Sequence, residues 1–209
     1  MPKALSEQET ESFRERICAV AARLYVEEGP VAVTMRRIAT ELGIGTMTAY
    51  RYYPNKDSIM TAVRTRGMHR FSQCLEDALA QPGDGRSRSR AVRDAYIAFA
   101  RTNTATYRLM FEYPEPRQDD PAYQEAHRRM WQTITAHVDA MAAEGLIEVD
   151  APIFGHQIWA SLHGAVMLEI ANMLPPGQDA ASLHTRTVTA LIDYASPIQT
   201  AVRDDCIPS

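Results

Sequence analysis

Nine residues between Thr34 and Lys56 have side chains suited to a nucleic acid: Thr34, Arg36, Thr46, Met47, Thr48, Tyr50, Arg51, Tyr53 and Lys56. Arginine can pair with the two acceptors of guanine in a major groove, and threonine or methionine methyls can touch the thymine methyl. Tyrosine hydroxyls and a lysine suit phosphate oxygens, which position a protein without reading sequence. The charge agrees with that chemistry. Residues 30 to 70 hold seven basic and two acidic residues, a net of +5, within a chain whose formal charge is −4. Residues 81 to 209 hold eleven basic and sixteen acidic residues, a net of −5, which argues against a second nucleic-acid surface there.

Other chemistries find no support in the spacing. His156 and His163 lie two helical turns apart, too far to share one metal without further ligands, and His127 and His137 match no metal-binding spacing. No glycine-rich phosphate loop or nucleophile elbow is present, and Glu112 and Glu115 have no fixed partner beside them. No cofactor, no metal and no enzymatic activity are expected. Cys18, Cys74 and Cys206 are odd in number and far apart, which fits a reducing compartment. With no signal-like N-terminus and no apolar run of membrane-spanning length, the chain is expected to be soluble and cytoplasmic.

The elements that must position the nine residues are two short helices and the start of a third. Thr34 has the side-chain oxygen of an N-cap, and Met35, Ile38, Ala39 and Leu42 follow at the offsets of one helix face. Gly43 permits the positive φ that lets a chain leave a helix in one residue, and Ile44 plugs the angle. A second helix over about Gly45 to Tyr52 is expected to face inward with Met47 or Thr48, Ala49 and Tyr52, and outward with Thr46, Thr48, Tyr50 and Arg51. Pro54 stops it and Asn55 caps the next. Helix, glycine turn and helix make the geometry of a helix-turn-helix.

At these residues the chain resembles the N-terminal DNA-binding domain of the TetR family of bacterial transcriptional regulators. The family pattern has Thr, Ile-Ala, a Leu/Ala-Gly-Val-Ser turn, a variable triplet, Leu-Tyr-x-His-Phe, and Asn/Ser-Lys-x-x-Leu. Here those places hold Thr34, Ile38-Ala39, Leu42 to Gly45, Thr46 to Thr48, Ala49-Tyr50-Arg51-Tyr52-Tyr53, and Asn55 to Ile59. Gly45 replaces a capping Ser, Ala49 a packing Leu, and Tyr52 the common His. A second likeness lies in Trp159-x-x-x-His163-Gly164, with Tyr96 to Phe99 and Tyr107 to Phe111, which resemble a Trp-His-Gly C-terminal subgroup of the family. The resemblance implies a homodimer formed through the last two helices.

The remaining chain predicts helices throughout, so the expected fold is all-α. A DNA-binding domain is expected over 9–55 and a helical ligand-binding and dimerisation bundle over 56–195. Helix 1 runs from about Glu9 to Glu28 with Phe13, Ile17, Val20, Ala21 and Leu24 on one face. A long helix from about Asn55 to Ala80 links the two units. Gln81 to Gly85 breaks it, and Arg86-Ser-Arg-Ser-Arg90 is expected to be a solvated loop. Further helices are expected over about Ser89–Thr102, Ala105–Phe111, Pro121–Glu144, Pro152–Met173 and Ala180–Tyr194, with a loop at Tyr113–Pro121 and a disordered tail.

The helix opening at Pro152 is apolar on too many sides for one surface, so it is expected to be buried deeply or shared with a second subunit. Dimerisation also suits the DNA, since two half-sites about one turn (~34–36 Å) apart form a pseudo-palindromic operator. Between the helices a mostly apolar pocket is expected, lined by Tyr96, Phe99, Tyr107, Phe111, Met130, Trp131, Ile134, Trp159 and His163. His127, His137 and Asn103 can add polar groups. The expected function is a repressor released from its operator by an unidentified small apolar effector, which acts by tilting the linking helix. Two alternatives differ in class. One is a constitutive DNA-binding protein with a filled core. The other is a helical small-molecule-binding protein or enzyme without sequence-specific DNA binding.

Overall fold

The computed structural model describes residues 6–112 and 120–195, with side chains described up to Leu191. Among these residues nine helices and no strand are present: α1 (Glu7–Glu28), α2 (Met35–Glu41), α3 (Thr46–Tyr52), α4 (Lys56–Leu79), α5 (Gly85–Thr102), α6 (Thr104–Glu112), α7 (Pro121–Ala143), α8 (Ala151–Ile170) and α9 (Ala180–Ala195). The fold is all-α. The loop expected over Tyr113–Asp119, the tail after Ala195 and the side chain of Ile192 lie outside the described residues.

Local signals set most boundaries. Ser6 and Glu9 form a reciprocal capping box that starts α1 two residues before its expected start. The Thr34 hydroxyl accepts from the Arg37 N–H at 3.1 Å and opens α2. Gly43, at φ +67°, turns the chain toward α3, whose N-cap Gly45 offers no side-chain bond. The Asn55 side chain accepts from the Ser58 N–H at 2.8 Å and opens α4.

Two expectations are corrected at helix ends. The run Arg86 to Arg90 is not a loop. Asp84 accepts from the Ser87 N–H at 2.8 Å, so α5 begins at Gly85 and carries the arginines on its first turns. Gly85 is buried, and a Cβ there would stand 3.2 Å from the Met141 Cα, so the start of α5 packs directly on α7. At the other end of the bundle α8 stops at Ile170 rather than Met173, because Asn172 turns left-handed at φ +54°.

Two large cores sit along α4. The first joins Ile17, Leu24, Ile38 and Ala49 to Ile59, Met60 and Val63 from the first turns of α4, and also to Leu109 from α6. The second joins Phe71 and Leu75 of α4 to Tyr96, Tyr107, Met130, Ile134 and Leu162. A smaller core of Val138, Met141, Ile147, Phe154 and Ile158 closes the far end of α7 and α8, with Val188 and Leu191 of α9 against it. Helix α6 therefore touches both large cores: Leu109 faces one, Tyr107 and Met110 the other. It approaches α4 closely at Gly67, where a Cβ would come within 2.6 Å of the Thr106 Cγ2 and 2.9 Å of the Met110 Sδ. On α8, Phe154, Ile158, Leu162 and Val166 are buried, while Ile153 and Leu168, with Met173 just beyond, face solvent.

Candidate nucleic-acid interface and inner cavity

Helix α3 is seated by its inner residues. Ala49 is fully buried and Tyr52 stacks on Phe13 of α1 with ring centroids 4.6 Å apart. This leaves the opposite face outward. Met47 is 79% exposed and Tyr50 44% exposed, a costly display for apolar surface unless something covers it. Arg51 is exposed beside them, its guanidinium over the Tyr52 ring at 5.4 Å. Thr46 and Thr48 are half-buried on the flanks.

Across the turn, Arg36 and Arg37 divide in role. Arg37 is bound to Glu28 at 3.0 Å and Glu41 at 3.1 Å. Arg36 is exposed and makes no ion pair among the described residues, so its charge is available to a partner. Thr34 is spent in part on capping α2. The Lys56 ammonium donates to the Pro30 carbonyl, which ties the loop before α2 to the N-terminus of α4.

Tyr53 does not share this surface. It is only 7% exposed, and its hydroxyl lies 3.3 Å from the Cys18 Sγ. The cause is local: the chain leaves α3 extended at Tyr53 (φ −141°, ψ 127°), which swings the ring inward under Arg14. Burial pushes both the Tyr53 phenol and the Cys18 thiol above their ordinary values. A buried phenol in this setting is a packing and hydrogen-bonding group, not a phosphate ligand.

The second half forms a cavity of about 220 Å³, open to solvent at one side, between α5, α7, α8 and α9, with Leu75 of α4 at its wall. Of the nine residues expected to line a pocket, Tyr96, Ile134 and Trp159 do so. Phe99, Tyr107, Phe111, Met130, Trp131 and His163 do not line it. They are taken up in core packing and ring contacts. Phe71 meets Phe99 edge-on at 5.1 Å, Phe111 lies 4.7 Å from the His163 ring, and Trp131 meets Trp159 at 4.8 Å.

A hydrogen-bonded chain runs through that aromatic cluster. The Trp159 indole N–H, a donor only, points at the Tyr96 oxygen at 3.2 Å. Tyr96 and Tyr107 hydroxyls are 2.8 Å apart, and the Tyr107 hydroxyl is 2.7 Å from the His163 Nδ1. One assignment satisfies every group: Trp159 donates to Tyr96, Tyr96 to Tyr107, and Tyr107 to an unprotonated Nδ1. Burial holds His163 below the ordinary imidazole range and both phenols above theirs, so all three stay neutral.

The cavity wall itself has polar groups, of which the sequence predicts His137 but not Ser89 or His184. His137 Nδ1 stands 2.9 Å from the Ser89 hydroxyl, and burial pushes its pKa down to about 4. His184 lies 3.3 Å from the Ser161 hydroxyl and is also pushed down to about 4, first by burial and then by the charge of Arg93. Asn103 serves elsewhere, accepting from Arg70 at 3.0 Å at the end of α5. Among the described residues no group of three or more His, Cys, Asp or Glu side chains could hold a metal, and no helix is long and apolar enough to cross a membrane.

A two-core helical protein with a helix-turn-helix at one end and a cavity at the other defines a class of DNA-associated regulators. Comparison with known proteins agrees with that class. Residues 17–63 match the profile of bacterial regulatory proteins of the tetR family, and residues 89–191 match a tetracyclin repressor-like C-terminal domain. The chain belongs to the TetR family of regulators. The subgroup suggested by Trp159, His163 and Gly164, with Tyr96 to Phe99 and Tyr107 to Phe111, rests on that sequence likeness. The HTH-type transcriptional activator FasR of Mycolicibacterium smegmatis is 28% identical over 99 residues, 47% of this chain and 45% of FasR. The match therefore spans less than half of that relative. The uncharacterized HTH-type regulator Rv0681 of Mycobacterium tuberculosis is 27% identical over 77% of this chain and 72% of its own. A Rhodococcus sp. RHA1 protein of unknown function has the same fold, with a TM-score of 0.77 at 20% identity over 94% of this chain and 99% of its own.

Proposed function

We propose that this protein is a homodimeric, ligand-responsive transcriptional regulator that represses by occupying a pseudo-palindromic DNA operator. The observation that carries the reading is the outward face of α3, where Met47, Tyr50 and Arg51 stand exposed, together with an exposed Arg36 on α2 that forms no ion pair among the described residues. The chemistry of Met47, Arg51 and Arg36 suits base edges, and the Tyr50 hydroxyl suits a phosphate oxygen. Thr46, Thr48 and Thr34 flank them, and Lys56 sits at the N-terminus of α4, where a phosphate is favoured. In this reading the DNA-binding head extends beyond Asn55 to about Val63, because the first turns of α4 share its core. The rest of the chain is the sensor and dimer part.

The dimer forms through α8 and α9, an arrangement supported by the exposed Ile153, Leu168 and Met173 near one side of the bundle. The effector occupies the cavity between α5, α7, α8 and α9. It shifts α4 through α6, whose Leu109 is seated in the head and whose Tyr107 and Met110 are seated in the sensor core. Release requires that the effector bind the DNA-free arrangement more tightly than the DNA-bound one. The protein is cytoplasmic and not an enzyme in this account.

The test is selection of bound sequences from random duplex DNA by the purified protein. A pseudo-palindrome with half-sites about one turn apart is expected. Recovery of sequence-blind, salt-sensitive binding alone would overturn the reading.

A further inference from the structure

The basic run Arg86-Ser-Arg-Ser-Arg90 has no place in the DNA-binding account, since it lies in the sensor half on the first turns of α5. Three of its residues and one neighbour share a helical register that defines its use. Arg86, Ser89, Arg90 and Arg93 fall at i, i+3, i+4 and i+7, which is one face of a helix. All four line the cavity, and Tyr96 continues the same face deeper.

The charges on that face are only partly compensated, with the Asp84 carboxylate at the start of α5 held low first by its hydrogen bonds from Ser87 and in part by the charges of Arg90 and Arg86. Arg93 is paired with Asp94 at 2.8 Å and donates to the Thr185 hydroxyl at 2.8 Å. Arg86 and Arg90 are exposed and form no ion pair among the described residues; Arg86 reaches only the Leu146 carbonyl at 3.5 Å and Arg90 the Ser87 hydroxyl at 3.1 Å. No carboxylate lines the cavity. Below the arginines the wall turns apolar, with Leu75, Val92, Ile134, Ile158, Leu162 and Val188.

We infer that the effector is an amphipathic anion, with an oxyanion head held at Arg86 and Arg90 and an apolar body lying in the cavity. This rests on the proposed sensor role of the cavity and narrows it to a ligand class. A purely apolar ligand would leave two arginine charges unused at the mouth, whereas arginine is well suited to a carboxylate or phosphate in fork geometry. The cavity, of about 220 Å³, leaves room for an apolar body below the arginines. His137 and His184, on the inner wall, are uncharged at neutral pH and do not compete for the head.

The experiment is calorimetric titration of the full-length protein with octanoate, with octanol as the uncharged isostere and acetate as the head without a body. Octanoate is expected to bind at least about tenfold more tightly than octanol, with an affinity that falls as salt rises, and acetate is expected not to bind. The Arg86→Gln/Arg90→Gln double variant, altered only at exposed positions, is expected to bind the two eight-carbon ligands about equally. Val188→Phe, which narrows the cavity from α9, is expected to weaken both, with its helical signal checked by circular dichroism. Equal binding of octanol and octanoate by the wild type would overturn the head-group assignment while leaving the cavity as a sensor. Octanoate binding unaffected by the arginine double variant would overturn it as well. Failure of both ligands to bind would overturn the cavity reading itself.

Discussion

Replacing Tyr107 by Phe removes one oxygen from the centre of a closed hydrogen-bonded chain while leaving the ring and its packing in place. Two short bonds disappear, at 2.8 Å to Tyr96 and 2.7 Å to His163. The Tyr96 hydroxyl retains the Trp159 indole as donor and can redirect its own proton to the His163 Nδ1, which is 3.3 Å away. The variant thus exchanges two good bonds for one long one in a site where water has little access. A lost buried bond costs about 0.5–1.5 kcal/mol, and an acceptor left poorly satisfied adds to it, so the expected loss is about 1–2 kcal/mol. For a chain of this length each kcal/mol moves Tm by about 2–4 °C, which gives a drop of roughly 2–8 °C. Denaturant unfolding at a fixed protein concentration reads the same quantity, with an unchanged m-value expected because the surface exposed on unfolding does not change. A Tyr107→Phe protein within about 0.5 kcal/mol of the wild type would refute the closed chain.

Three other outcomes are expected. His137 and His184 have folded pKa values near 4, well below the unfolded value, so the unfolded chain binds more protons below about pH 6.5. Stability should therefore be full above that pH and fall as pH drops toward 4, by up to about 1.4 kcal/mol per pH unit for each histidine. Melting curves at pH 7.5, 6 and 5 read this directly, and a flat Tm would contradict the burial of both rings. Gly67→Ala places a methyl against Thr106 and Met110 at the α4–α6 crossing and should cost about 1–3 kcal/mol, read by thermal melting; a wild-type melt would mean the helices have room to part. Lys56→Ala should weaken binding to every DNA sequence and lower the slope of log affinity against log salt by about 1, whereas relaxation at a single base position would contradict a phosphate role.

The parts of the structure that were legible in the sequence are those encoded within a few residues. Thr34, Gly43 and Asn55 each act on backbone groups at most three positions away, so the helix-turn-helix and its exposed Arg36, Tyr50 and Arg51 follow from local chemistry. Tyr53 was misleading because a single extended residue after α3 reverses its side chain, and its partner Cys18 is 35 positions away. The run Arg86 to Arg90 was misleading because Gly83-Asp84-Gly85 reads as a breaker, while Asp84 is a cap and Gly85 the first residue of a helix packed on α7. The cavity was the least legible element. Large aromatics such as Phe99, Phe111 and Trp131 mark a core by composition, but whether they line a space or fill it depends on four helices meeting. In α8 the residues Trp159 and His163 are neighbours on one face, yet only Trp159 reaches the cavity.

The most direct measurement of the central claim is a comparison of base preferences between the wild type and the Met47→Ala/Arg51→Ala variant, using the operator recovered by selection. Both residues are exposed on α3, so the variant should keep its helical signal and its melting temperature. If α3 reads the operator, preference is lost at the same few positions in both half-sites, symmetrically about the centre, at about 1–3 kcal/mol per contact. An unchanged preference profile in a folded variant would contradict the assignment of α3 as the reading helix.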